Sequence, residues 1–228
     1  LDCFLYVGES YGDADMYYLS RFLAGDRFAL LAAEKTTLLV SSMEVGRARK
    51  ESCADRCLST SEFHISDKLK SGMRPDEAYA QVLAEFLRQC SIRRLGVPYS
   101  FPAGIYHYLE QDFQIEILDS PAARQREIKG AEELQAIALT QRACERAMRR
   151  AIRLIAGSEA RGERLFRQDE PLTSQRVRRA IELSLLEDGC EAVDTIVAGG
   201  VQAADPHVRG SGPLPANAPI VIDIFPRS

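Results

Sequence analysis

Short apolar runs alternate with amphipathic stretches in the first half of the chain, and longer helical repeats follow in the second. Between Leu1 and about Ala122, apolar runs at Phe4–Val7, Phe28–Ala32, Thr37–Val40, Arg94–Val97 and Gln114–Leu118 predict strands. Pro75 to Cys90 predicts a helix, with Pro75 near its start and Ala78, Val82, Ala84, Phe86 and Leu87 on one apolar face. Strands alternating with helices define an α/β domain, a compact sheet covered by helices.

The pattern breaks at Pro121, and a long helix is expected from about Glu127 to Ala156. Its apolar positions, among them Leu134, Ile137, Ala147, Ala151 and Ile155, recur at three and four, while Arg142, Arg146, Arg149, Arg150 and Arg153 accumulate between them. That arginine run reads as a solvated outer face partly neutralised by Glu132, Glu133 and Glu145; anion or nucleic-acid binding is the functional alternative. A second helix is expected from Ser174 to Glu187, with Thr173 or Ser174 as N-cap and Gly189 as its stop. A strand at Val193–Ala198, a turn-rich passage from Gly199 to Asn217 and an apolar strand from Pro219 to Phe225 complete the pattern.

A length of 228 residues suits two domains. No stretch reaches the roughly 18 apolar residues of a membrane-spanning helix, so no membrane partner is expected. A net charge of -4 argues against a nucleic-acid-coating role, which needs a dominant basic surface. Of the six cysteines only Cys53 and Cys57 fall close together, and a single CxxxC lacks the second pair of a structural zinc site. They are read as reduced structural thiols of a cytoplasmic chain.

Asp223 stands in a run whose neighbours are all apolar and which is expected to be a buried strand. A buried, unpaired carboxylate costs several kcal/mol, so it calls for an Arg or Lys partner, several hydrogen-bond donors, or a metal ion. His207 lies in a loop, Ala203 to Gly212, with little apolar content. Its imidazole can exchange a proton near neutral pH, or simply be exposed. His64 and His107 match no ligand spacing and are assigned to structure or surface. Gly8 to Asp13 lacks the lysine and hydroxyl of a phosphate-binding loop and is read as a turn, and neither a GxSxG elbow nor an HExxH helix is present.

Taken together, Arg126-Glu127-Ile128-Lys129-Gly130-Ala131-Glu132-Glu133-Leu134, the two helices, Ile196-Val197-Ala198-Gly199-Gly200, Pro206-His207 and Ile220-Val221-Ile222-Asp223 occur in a fixed order. This order resembles the opening of the catalytic domain of the pita-bread metallopeptidases, the prolidases and aminopeptidases P. Tyr17-Tyr18-Leu19-Ser20-Arg21-Phe22 resembles a stretch of the creatinase-type N-terminal domain that precedes it. The resemblance implies an α/β fold with a creatinase-like N-terminal domain at 1–122 and the first part of a pita-bread (α+β) domain at 126–228.

It implies, further, cleavage of the Xaa-Pro bond of short proline-containing peptides by a metal-activated hydroxide. Asp223 would be the first ligand of two divalent ions, manganese being expected and cobalt or zinc the alternatives. His207 would hydrogen-bond the substrate, and a homodimer is implied. The family's other metal ligands come later in its sequence than Asp223, and one carboxylate cannot hold two cations. The 228 residues are therefore expected to bind no catalytic metal and to be inactive alone, and the natural protein is expected to continue beyond Ser228. Two other readings stay open: a non-catalytic pita-bread module that binds peptides or proteins, and a metal-free, creatinase-like amidinohydrolase.

Overall fold

A computed structural model describes all 228 residues, which divide into two compact units, Leu1–Ile128 and Lys129–Ser228. The first unit contains β1 (Cys3–Gly8), α1 (Ala14–Ser20), β2 (Phe28–Ala32), β3 (Thr36–Val40), α2 (Val45–Glu51), β4 (Arg56–Ser59), α3 (Ile65–Lys70), α4 (Pro75–Gln89), β5 (Arg94–Val97), α5 (Ala103–Leu109), β6 (Gln114–Ile117) and α6 (Pro121–Glu127). Its six strands form one mixed sheet in the order β4-β3-β2-β1-β5-β6. The hairpins β1–β2 and β2–β3 are antiparallel, while β3–β4, β1–β5 and β5–β6 are parallel.

Both faces of this sheet are covered, which is why its central strands read as continuous apolar runs rather than as an alternation. Along β1, Cys3, Leu5 and Val7 join Val82, Leu83, Phe86 and Leu87 of α4 on one face. Phe4 and Tyr6 join Met16, Phe22, Phe28 and Leu30 on the other. The tip of Tyr6 finds a polar partner in the Ser120 hydroxyl at 2.8 Å, immediately before α6. Pro121 occupies the first turn of α6, where its missing N–H costs nothing. The proline expected to break the pattern in fact starts a helix.

The second unit contains α7 (Ala131–Ala156), β7 (Glu159–Arg161), β8 (Arg164–Arg167), β9 (Glu170–Pro171), α8 (Ser174–Glu187), β10 (Glu191–Gly199) and β11 (Ile220–Arg227). Helix α7 starts at Ala131, later than the expected Glu127, because Ile128 is extended and Gly130 is the N-cap, its N–H held by the Glu133 carboxylate at 2.9 Å. Of the apolar stripe expected on α7, Ala147 and Ala151 are buried, and Ala143 joins them. Ala143, Ala147 and Ala151, four residues apart, pack with Val177, Ile181 and Leu185 of α8. Small residues let the two helices approach closely, and the larger Leu134, Ile137 and Ile152 are left exposed.

Strands β10 and β11 form an antiparallel pair, and β7, β8 and β9 a small separate sheet. No helix of the chain is long and apolar enough to cross a membrane. All six cysteines are free thiols.

Candidate functional site

The two residues singled out by the sequence both belong to the β10–β11 hairpin. Asp223 sits in the middle of β11 opposite Ile196 of β10. Its environment corrects the expectation of a buried strand: side chains along β11 alternate between half-buried and exposed, and Asp223 is on the exposed side. Ile220, Ile222 and Ile224 point into the core shared with α7 and α8, whereas Val221, Asp223 and Phe225 face outward. An all-apolar stretch indicates burial on two faces only when both are covered, and within this unit one face of the hairpin is open. The Asp223 carboxylate makes no hydrogen bond or ion pair within the chain, so no desolvation penalty has to be offset.

Its charge still acts on its surroundings. Burial pushes the Cys144 thiol up from its ordinary value, and the neighbouring carboxylates of Glu145 and Asp223 add to that shift.

His207 lies in the loop after β10 and is exposed, in line with a loop imidazole. The Asp205 carboxylate accepts its backbone N–H at 3.2 Å, leaving the ring itself unbonded. What fixes this loop is the segment immediately after it. The Val197 N–H of β10 donates to the Arg209 carbonyl at 3.0 Å, so Arg209 runs along β10 on the side away from β11. Arg178 of α8 reaches the Arg209 carbonyl at 2.7 Å and the Gly210 carbonyl at 3.2 Å through one guanidinium nitrogen. The Gln202 side chain clamps Ser211, accepting its N–H at 2.8 Å and donating to its carbonyl at 3.1 Å.

Gly210 adopts φ +79, and a Cβ there would stand 1.7 Å from the Val197 carbonyl oxygen. Only glycine allows so close an approach of two backbones. Asp223 thus lies on the strand paired with one side of β10, and His207 on a loop bolted through Arg209 to the other side, with no hydrogen bond or ion pair joining them. The anchors Arg178, Gln202 and Gly210 were not foreseen in the sequence. The glycines of Arg209-Gly210-Ser211-Gly212 signalled a turn, but nothing in α8 marked Arg178 as the residue that reaches it.

His64 and His107 are exposed, lying 3.8 Å from Asp67 and 3.4 Å from Glu110 respectively, which agrees with surface roles. Nowhere do three or more His, Cys, Asp or Glu side chains gather in a group that could hold a metal ion. The donor set of these residues does not fit the two-metal centre that the resemblance implies.

The fold and this hairpin define a two-unit α/β protein with a creatinase-type N-terminal domain followed by the first part of a pita-bread domain. Residues 1–128 match the sequence profile of the creatinase/prolidase N-terminal domain, and the chain belongs to that family. It is similar in structure to the prolidase of Pyrococcus horikoshii OT3, with a TM-score of 0.69, 22% identity, and coverage of 98% of this chain and 56% of that one. It is also similar to the X-Pro aminopeptidase of Thermotoga maritima MSB8, with a TM-score of 0.73, 19% identity, and coverage of 98% and 58%. The Xaa-Pro dipeptidase of Bacillus anthracis gives a TM-score of 0.73 at 14% identity, with coverage of 98% and 56%. The chain thus spans a little over half the length of the solved structures it matches. A search of curated proteins finds no match.

Proposed function

We propose that this chain serves in the metal-dependent hydrolysis of the Xaa-Pro bond of short peptides. The observation that carries the reading is a single one: the strand bearing the carboxylate and the Arg209 anchor of the histidine loop lie along opposite sides of one strand, β10. The fold that holds them is shared along 98% of the chain with a prolidase and an X-Pro aminopeptidase.

In this reading Asp223 contributes one carboxylate to a metal centre whose other ligands come from outside these residues, with manganese as the expected ion. An exposed carboxylate that makes no ion pair within the chain is free to take that role. His207 presents its unbonded imidazole to the substrate, and the Arg209–Gly210 anchor keeps the loop from drifting. Rigid support of this kind is what positioning a reacting group requires.

The test is an Xaa-Pro dipeptide and tripeptide assay on the intact gene product, with and without added Mn²⁺ after chelation. Metal-dependent release of the residue preceding proline supports the reading. A folded, manganese-loaded protein that leaves these peptides uncut overturns it and favours a peptide-binding module without catalysis.

A further inference from the structure

The second unit carries a concave arginine site that the peptidase reading does not use. Arg146, Arg150 and Arg153 of α7, Arg176 and Arg179 of α8 and Arg167 of β8 line one groove of about 640 Å³. The spacings of four and three place the α7 arginines on one stripe of that helix, about 10 Å long at a rise of ~1.5 Å per residue. Leu154, Ala180 and Leu183 supply apolar wall between the guanidiniums.

The carboxylates nearby do not balance this charge. Arg146 pairs with Asp188 at 2.8 Å, Arg150 with Glu187 at 2.9 Å and Arg176 with Glu170 at 3.4 Å. Glu145, one of the acidic residues expected to neutralise the arginine run, pairs with Arg149, outside the groove. Arg153 donates only to the Arg149 carbonyl of its own helix at 3.3 Å. Arg167 donates to the Leu154 carbonyl in the last turn of α7 at 3.2 Å. Arg179 makes no hydrogen bond or ion pair. Three of the six guanidiniums thus face the groove without a carboxylate.

A convex basic face would simply be solvated. A concave one between two packed helices focuses its field and raises the local concentration of anions. The set is all arginine, the side chain whose planar fork engages oxyanions in two-point fashion. We propose that this groove binds a short polyphosphate chain, either free or as the phosphate tail of a nucleotide. A chain of linked phosphoryl groups matches both the length of the α7 stripe and the excess of positive charge. The site is independent of His207 and Asp223.

The experiment is calorimetric titration of the full chain with tripolyphosphate at physiological ionic strength, where non-specific surface attraction is largely screened. One saturable site per chain is expected, weakened at least about tenfold in R153Q/R179Q through loss of two charge-assisted contacts. It should be unchanged in R49Q/R124Q, which removes the same charge from the first unit. Thermal melts without ligand check that the variants fold, and R179Q alone repeats the test if the double variant melts early. No saturable binding, or equal weakening in both double variants, overturns the proposal. Binding of poly-glutamate with no binding of tripolyphosphate also overturns it, in favour of an acidic protein partner. ATP binding as tightly as tripolyphosphate identifies free polyphosphate as the ligand. Tighter ATP binding places a nucleoside against Leu154 and Leu183.

Discussion

The backbone of Gly210 lies against the backbone of Val197 so closely that a single added methyl group would stand 1.7 Å from the Val197 carbonyl oxygen. The partner atom is main chain in a paired strand and cannot swing aside. Gly210→Ala also places an L-residue at φ +79, itself a strained position. We expect a loss of at least about 2 kcal/mol in the stability of the second unit, read by chemical denaturation. The His207 loop should also become more susceptible to proteolysis. A variant as stable as the parent would show that the loop is not anchored at this point.

Arg178 holds the same loop from the helix side. Its side chain is only 16% exposed, and its Nη1 serves the Arg209 and Gly210 carbonyls together. Hydrogen bonds from a charged donor of this kind contribute roughly 1.5 to 3 kcal/mol, so Arg178→Ala should cost about that much. Neighbouring Arg179→Ala, which removes a side chain without hydrogen bonds, should cost less than about 0.5 kcal/mol. Comparable costs for the two would remove Arg178 from the anchoring role.

The sequence made the first unit legible because its central strands are buried on both faces, so apolar runs such as Phe28–Ala32 coincide with strands. It concealed β4, an edge strand of Arg-Cys-Leu-Ser with no apolar run, and the short charged strands β7 to β9. In the second unit helix α8 begins and ends where its cap and stop residues indicated, with Thr173 accepting the Arg176 N–H at 3.2 Å. Asp223 was the reverse case. Its apolar neighbours implied two covered faces, but a strand's sequence does not reveal whether its second face meets anything. The arginine groove was half visible: the α7 stripe could be counted, whereas its juxtaposition with Arg167, Arg176 and Arg179 needed the packing of α7 on α8.

Cys3 supplies a pH-dependent term. Burial beside the α4 core raises its thiol from about 9 to about 12. The folded chain keeps this proton where the unfolded chain releases it, so the stabilisation is complete below about pH 9. It is lost progressively as pH rises toward 12. Denaturation midpoints of the first unit should therefore fall as pH rises above about 9, and Cys3→Ala should flatten part of that decline. In the native chain at mildly alkaline pH, exposed Cys53 should be alkylated well before Cys3. Equal labelling rates would contradict the burial of Cys3.

The roles assigned to Asp223 and His207 separate cleanly in the intact protein. Asp223 is exposed and makes no ion pair within the chain, so Asp223→Asn should change stability by less than about 0.5 kcal/mol. It should nevertheless lower bound manganese and Xaa-Pro activity together, because it removes an anionic oxygen donor. His207→Ala should lower turnover while metal content stays at the parent level, since the imidazole is assigned to the substrate and not to the ion. Metal analysis beside steady-state kinetics distinguishes the two. Equal metal loss in both variants would make His207 a ligand, and loss of activity in Asp223→Asn at full metal content would move Asp223 out of the metal centre.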